Sequence, residues 1–244
     1  MPTDSVQAVS QTLQQVFADS KVFSLLKDYQ LLPQLLQEMI TDQAIAAFDC
    51  TSAEEATMRQ SFFAQHQVST AVEQQQWLDQ RRLTLEEVMA PLRRRIRIEK
   101  FKQATWGHQV ESYFLKQKDQ LDRVVYSMIQ HSDHDVITEL YFRLQEQEQS
   151  FSELAPLYCQ GIAAKTKGIL GPVEFGQLPP DLAKLLHQGQ PQQLLKTRIG
   201  GWHIVAQVEA LIPARLDEAT QQRLLNELFN QWLQQEVNQM QQVA

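Results

Sequence analysis

The sequence predicts an α+β protein in which helices flank a small sheet, and three observations predict it. Apolar residues recur at helical spacing almost without a break up to residue 118; the period changes over 121–130; and seven of the eight glycines lie between Gly161 and Gly201. The first 160 residues contain a single glycine, Gly107. Turn-forming residues are thus concentrated where short strands need sharp reversals.

The helical pattern begins near Ser5. In LLPQLLQEMITDQAIAAF, the side chains of Leu32, Leu35, Leu36, Met39, Ile40 and Ile45 fall near one face, and Pro33 suits a first turn, where no N–H is required. Thr51 or Ser52 caps the next helix, with Glu54 and Glu55 in the early turn that the helix dipole makes favourable for acids. Thr84 and Glu87 have capping-box spacing at the head of a further helix. Short helices joined by polar turns predict an irregular helical domain over 1–118. Within it, Arg93, Arg94, Arg95, Arg97, Lys100 and Lys102 form a basic run on an amphipathic segment. A solvated helix face is the expectation there, with an acidic partner as the alternative.

The run LDRVVYSMIQ, with Val124, Val125, Tyr126, Met128 and Ile129, suits a buried strand. Two helices follow, broken near Gln149 and Ser150; then comes a short strand over 169–173 and a helix starting at Pro179 or Pro180 and ending at Gly189. LLKTRIGGWHIVAQVEALIP predicts two strands joined at Gly200 and Gly201. This second domain is expected over 119–213, and 214–244 as a long amphipathic helix returning to the N-terminal helices.

Composition narrows the function classes. At 244 residues, 43% hydrophobic and 21% charged, the chain is globular, and a net charge of -7 gives no basic field for nucleic acid. Cys50 and Cys159 make neither a disulfide framework nor a paired metal motif, the six histidines lack zinc-site spacing, and phosphate-binding glycine motifs and the serine-hydrolase elbow are missing. No cofactor or metal is therefore expected. The N-terminal MPTDSVQAVSQTLQQVF lacks a cationic leader with an apolar core, and no window approaches the roughly 18 apolar residues of a membrane span, so the expected location is cytoplasmic.

An ordered set of motifs then points to a family. Phe151, Leu154 and Ala155 match an F-x-x-L-A helix; Gly168, Leu170 and Gly171 a G-x-L-G turn; Gly176, Gln177, Leu178, Pro180 and Leu182 a G-Q-M-x-P-x-F segment; and Gly201, Trp202, His203 and Ile204 a closing G-W-H-I strand. Residues 121–213 resemble the parvulin, or PpiC-type rotamase, domain of peptidyl-prolyl isomerases, and the helices on either side resemble those of larger foldases and chaperones of the SurA and PrsA kind. The resemblance implies a proline-binding cleft. It implies Leu178 and Leu182 as the apolar cup, with Phe175 added by its proximity in sequence; core filling is the alternative role for all three. It implies His203 as a catalytic candidate, and Tyr126 where the family has a first-strand histidine. It puts Gly161 at the family's loop cysteine or aspartate, with Cys159 two residues earlier, and inserts one residue between Thr197 and His203.

The chemistry asked of such a cleft is small. An X-Pro bond rotates over a barrier of about 18–20 kcal/mol, and relaxes unaided in tens to hundreds of seconds. An apolar pocket that excludes water and favours the twisted amide by about 4 kcal/mol gives a thousandfold acceleration. The resemblance therefore implies an isomerase or foldase acting on proline-containing unfolded segments. Loss of the polar positions leaves an alternative, a weakly catalytic or inactive peptide-binding chaperone or adaptor with a partner in protein secretion.

Overall fold

A computed structural model describes residues 20–243. The start of the helical pattern near Ser5 and the N-terminal segment inspected for a leader lie outside the described residues. The chain divides into two compact units, Met1–Val110 with Glu218–Ala244, and Glu111–Asp217.

The first unit is helical: α1 (Ser20–Asp28), α2 (Leu32–Ala44), α3 (Ser52–Gln65), α4 (Ala71–Arg81), α5 (Leu85–Trp106) and α10 (Glu218–Val243). Three of these start on capping boxes, Thr51 with Glu54, Thr70 with Glu73 and Thr84 with Glu87, each removing orphan amide donors at a helix start. The third is the box expected from the sequence, the first resolves the choice between Thr51 and Ser52 in favour of Thr51, and Thr70 is not among the expected caps. Leu36 and Ile40 of α2 pack against Val237 and Met240 of α10, so the terminal helix closes the helical core. Phe63, Leu78 and Val88 join α3, α4 and α5 in a second cluster.

Most of the basic run of α5 is engaged within its own unit rather than left to solvent, and Arg95 is its exposed member. Arg93 pairs with Glu55 and Glu86, Arg94 with Glu38 and Asp42, and Lys100 with Glu54. Arg97 donates to the carbonyls of Ile45 and Phe48, closing the end of α2. Lys102, only 6% exposed, bonds Glu99 and Asn226 and lies 5.1 Å from the centre of the Phe229 ring. The charges thus brace neighbouring elements of their own unit. Lys100, with the Thr51 amide and hydroxyl, holds the Glu54 carboxyl at about 2.

The second unit opens with α6 (Val110–Leu121) and contains β1 (Arg123–His131), α7 (His134–Gln145), α8 (Phe151–Tyr158), β2 (Ile169–Glu174), α9 (Pro180–Gln188), β3 (Leu194–Ile199) and β4 (Trp202–Ile212). The strands form a four-stranded sheet of order β2-β1-β4-β3, with every named pair antiparallel. A two-residue turn joins β3 to β4, and Gly200, at φ +59°, takes the left-handed conformation its first position requires.

Strand alternation gives this sheet two different faces. Val124, Tyr126 and Met128 of β1 and Ile204, Ala206 and Val208 of β4 pack with Phe175, Leu182 and Leu186 under α9. Ile129 and Val205, on the opposite side, pack with Ile137, Leu140 and Leu144 of α7 and Phe151, Leu154 and Ala155 of α8. The central strands are therefore buried on both sides, which explains the continuous apolar run in β1. Bulges interrupt the ladder on both sides of β1 near Val125. On the β2 side Gly171 has φ +104°, and a Cβ there would lie 2.4 Å from the Val124 carbonyl oxygen, so no other residue fits.

Candidate functional site

The α9 face holds the residues expected to form an apolar cup. The chain leaves β2 through a single 3₁₀ turn, Phe175–Gln177, pinned where the Phe175 amide donates to the Asp122 carbonyl at 3.0 Å. Asp122 is itself fixed by Lys118 and by the Ala214 amide. The turn delivers Leu178, half-buried, and then α9, which Pro179 and Pro180 start without loss of a helical hydrogen bond. Leu182 and Phe175 are buried in one cluster with Tyr126, and Leu178 packs against its edge.

Within this group the four side chains differ in availability. The Phe175 ring is stacked by His187 at 3.7 Å and 18°, and the His187 Nε2 sits 3.2 Å from the Asp119 carbonyl, which makes that nitrogen the donor. Phe175 thus has an imidazole on its face and serves as a wall. Tyr126 is buried, and desolvation raises its phenol above the ordinary value, keeping it neutral. Leu178, half-buried at the edge of the cluster, is the member with surface to offer a ligand.

The remaining polar positions are dispersed. His203 lies next to Ile204 of the α9 face and two residues from Val205, so alternation turns it to the side of α7 and α8. Its ring centre is 5.2 Å from that of His134, at the start of α7, and its cross-strand partner is His131. The structure does not bring His203 together with Leu178, Leu182 and Phe175. Of the expected set, Tyr126 alone shares their face. A Cβ at Gly161 would lie 2.8 Å from the Gln130 side chain, so this position is fitted closely to the neighbouring strand. Cys159 packs beside the core under α7 and α8.

Sequence reasoning missed His131 and His134 as companions of His203, and it missed His187. The HSDH run puts one histidine at the end of β1 and the other at the start of α7, but only the strand register shows that His131 meets His203. Among the described residues no group of three or more His, Cys, Asp or Glu is arranged to hold a metal ion, and no helix is long and apolar enough to cross a membrane.

An antiparallel sheet with helices on both faces and a proline-initiated helix over an apolar patch defines a class, and residues 130–209 match the model of the Rotamase family, described as a PPIC-type PPIASE domain. The second unit thus carries a parvulin-type domain. Among solved structures the chain is similar to a peptidylprolyl isomerase (PrsA) from Bacillus anthracis, with 18% identity over 84% of this chain and 96% of that one and a TM-score of 0.47. It is similar to a PrsA from Bacillus cereus, with 14% identity over 98% and 87% and a TM-score of 0.49. It is also similar to a protein from Campylobacter jejuni described as a SurA-like chaperone, with 16% identity over 79% and 83% and a TM-score of 0.36. No curated protein matches the sequence.

Proposed function

We propose that the protein is a foldase: its parvulin-type domain engages proline-containing segments of unfolded polypeptides at the α9 face and accelerates their cis/trans isomerisation, while the helical unit holds the client chain. The single observation that carries this is the coincidence of the rotamase match, residues 130–209, with the apolar cluster around Leu178 and Leu182. Binding a prolyl ring against such a surface and excluding water from the amide is sufficient chemistry. A cytoplasmic setting, in which Cys50 and Cys159 persist as free thiols, and a partner in secretion belong to the same proposal.

A specific observation favours a second reading. His203 is on the opposite face from the cup, Tyr126 is buried and Gly161 has no side chain, so the domain resembles a peptide-binding module of low turnover. Exchange NMR on short X-Pro peptides with catalytic amounts of the full chain decides between them. Accelerated exchange, lost in a folded Leu178→Ala variant, supports the foldase; shifted peptide signals without faster exchange support the binding module. Neither effect sinks both.

A further inference from the structure

The face of the sheet under α7 and α8 is only partly covered. Those helices cover Ile129 and Val205, but the next row on the same side, Ile169, Ser127, Gln207 and Leu194, crosses all four strands as register partners and floors an open cleft of about 870 Å³. Its walls are the end of α7, the start of α8 and the loop before β3. The bulge between Val125 and Tyr126 places the extra residue Glu209 in β4, and the Glu209 carboxylate accepts a 2.5 Å hydrogen bond from Ser127, whose residue is only 2% exposed. A built, buried polar contact therefore lies in the floor of the cleft.

Its lining is rich in side-chain amides. Six glutamines border it. Gln149 has its oxygen held by Arg143, and Gln193 has its oxygen held by the Gln190 amide, which leaves their amino groups available as donors. Side-chain amides of this kind match the donor and acceptor pattern of a peptide backbone. The charges are Glu148, Glu153 and Glu209 against Lys167, and Glu153 is engaged by the α8 N-cap. A floor four strands wide spans about 14 Å, the reach of about four residues of extended chain.

We infer that this cleft is a second polypeptide subsite, taking an extended, lysine- or arginine-bearing segment across the strands with its cation at Glu209 and Glu148. The inference rests on the foldase reading in taking unfolded polypeptide as the client, and it assigns a task to a face that the proline cup does not use.

The test is an ¹⁵N NMR titration of the full chain with two short proline-free peptides, one bearing lysines and one glutamates at the same positions, beside an X-Pro peptide. The expected result is that the lysine peptide shifts the amides of Ser127, Gln207 and Glu209, binds at least fivefold more tightly than its acidic counterpart, and loses about that factor in Glu209→Gln, which keeps an acceptor for Ser127. Glu148→Gln is expected to weaken binding in the same direction. Equal binding of the two peptides, or unchanged affinity in both folded variants, overturns the subsite. If the X-Pro peptide shifts amides around Leu178 while the lysine peptide shifts none, the cleft assignment fails and the foldase reading stands; if no peptide shifts any amide, both fail.

Discussion

The two faces of the sheet use the same strands for different purposes. On the α9 side the strands contribute Val124, Tyr126, Met128, Ile204, Ala206 and Val208, and the face is closed by Phe175, Leu182 and Leu186 into an apolar cluster with Leu178 at its edge. On the α7 and α8 side the apolar floor is short, and beyond Val205 it turns polar at one end, with Gln207 and Glu209, and carries histidines at the other, with His131 and His203. The difference teaches that the apolar outline of a site can lie on one face while a polar residue expected beside it, His203, sits on the other.

The largest expected effects break both faces through their shared scaffold. Leu182→Ala should cost about 2–5 kcal/mol by leaving a cavity under α9, and Gly171→Ala about 2 kcal/mol or more by forcing a left-handed backbone and a clash with Val124. Both are read as lowered denaturation midpoints of the full chain; a Gly171→Ala variant of unchanged stability would remove the strained bulge from this account. Leu178→Ala separates the faces more cleanly. Being half-buried, it should lower stability by only about 1–2 kcal/mol and weaken X-Pro peptide binding about fivefold, measured by calorimetry, while leaving a lysine peptide unaffected.

Smaller effects sharpen the contrast. Burial raises the Tyr126 phenol above 10, so the folded state holds that proton more tightly than the unfolded chain. Its contribution is present below pH 10 and is lost as pH rises from there through the folded value. Tyr126→Phe should therefore flatten the alkaline limb of the stability profile, followed by chemical denaturation at successive pH values; an unchanged limb would mean that the phenol reaches water. The smallest expected effect is on catalysis in His203→Ala. With the ring against His134 on the far face, X-Pro exchange should stay within a factor of two of the parent. A loss of tenfold or more would place His203 in the cleft after all.

Much of this was legible in the chain. Thr51 with Glu54, Thr84 with Glu87, the strand at 123–131, the proline-initiated α9 and the Gly200–Gly201 hairpin all follow from local chemistry: caps satisfy amides nearby in sequence, proline fixes its own φ, and glycine turns where a Cβ cannot. Less visible were the contacts made at a distance. Arg93, Arg94 and Lys100 appear in the sequence as a run of charge, and only the folding of α2 and α3 alongside α5 brings Glu38, Asp42, Glu54 and Glu55 to them.

By itself, then, the sequence determined the kind and order of the elements, the α+β class and the resemblance of 121–213 to a parvulin domain, because periodicity, caps and turn residues act over a few positions. The tertiary structure decided which face each side chain occupies. His203 and Leu178 are equally plausible site residues when written in a line, but strand register sends one to α7 and leaves the other beside α9. Register depends on bulges and on pairing between strands as far apart as β1 and β4, and a single-residue offset there reverses the side of the sheet from which a side chain can act.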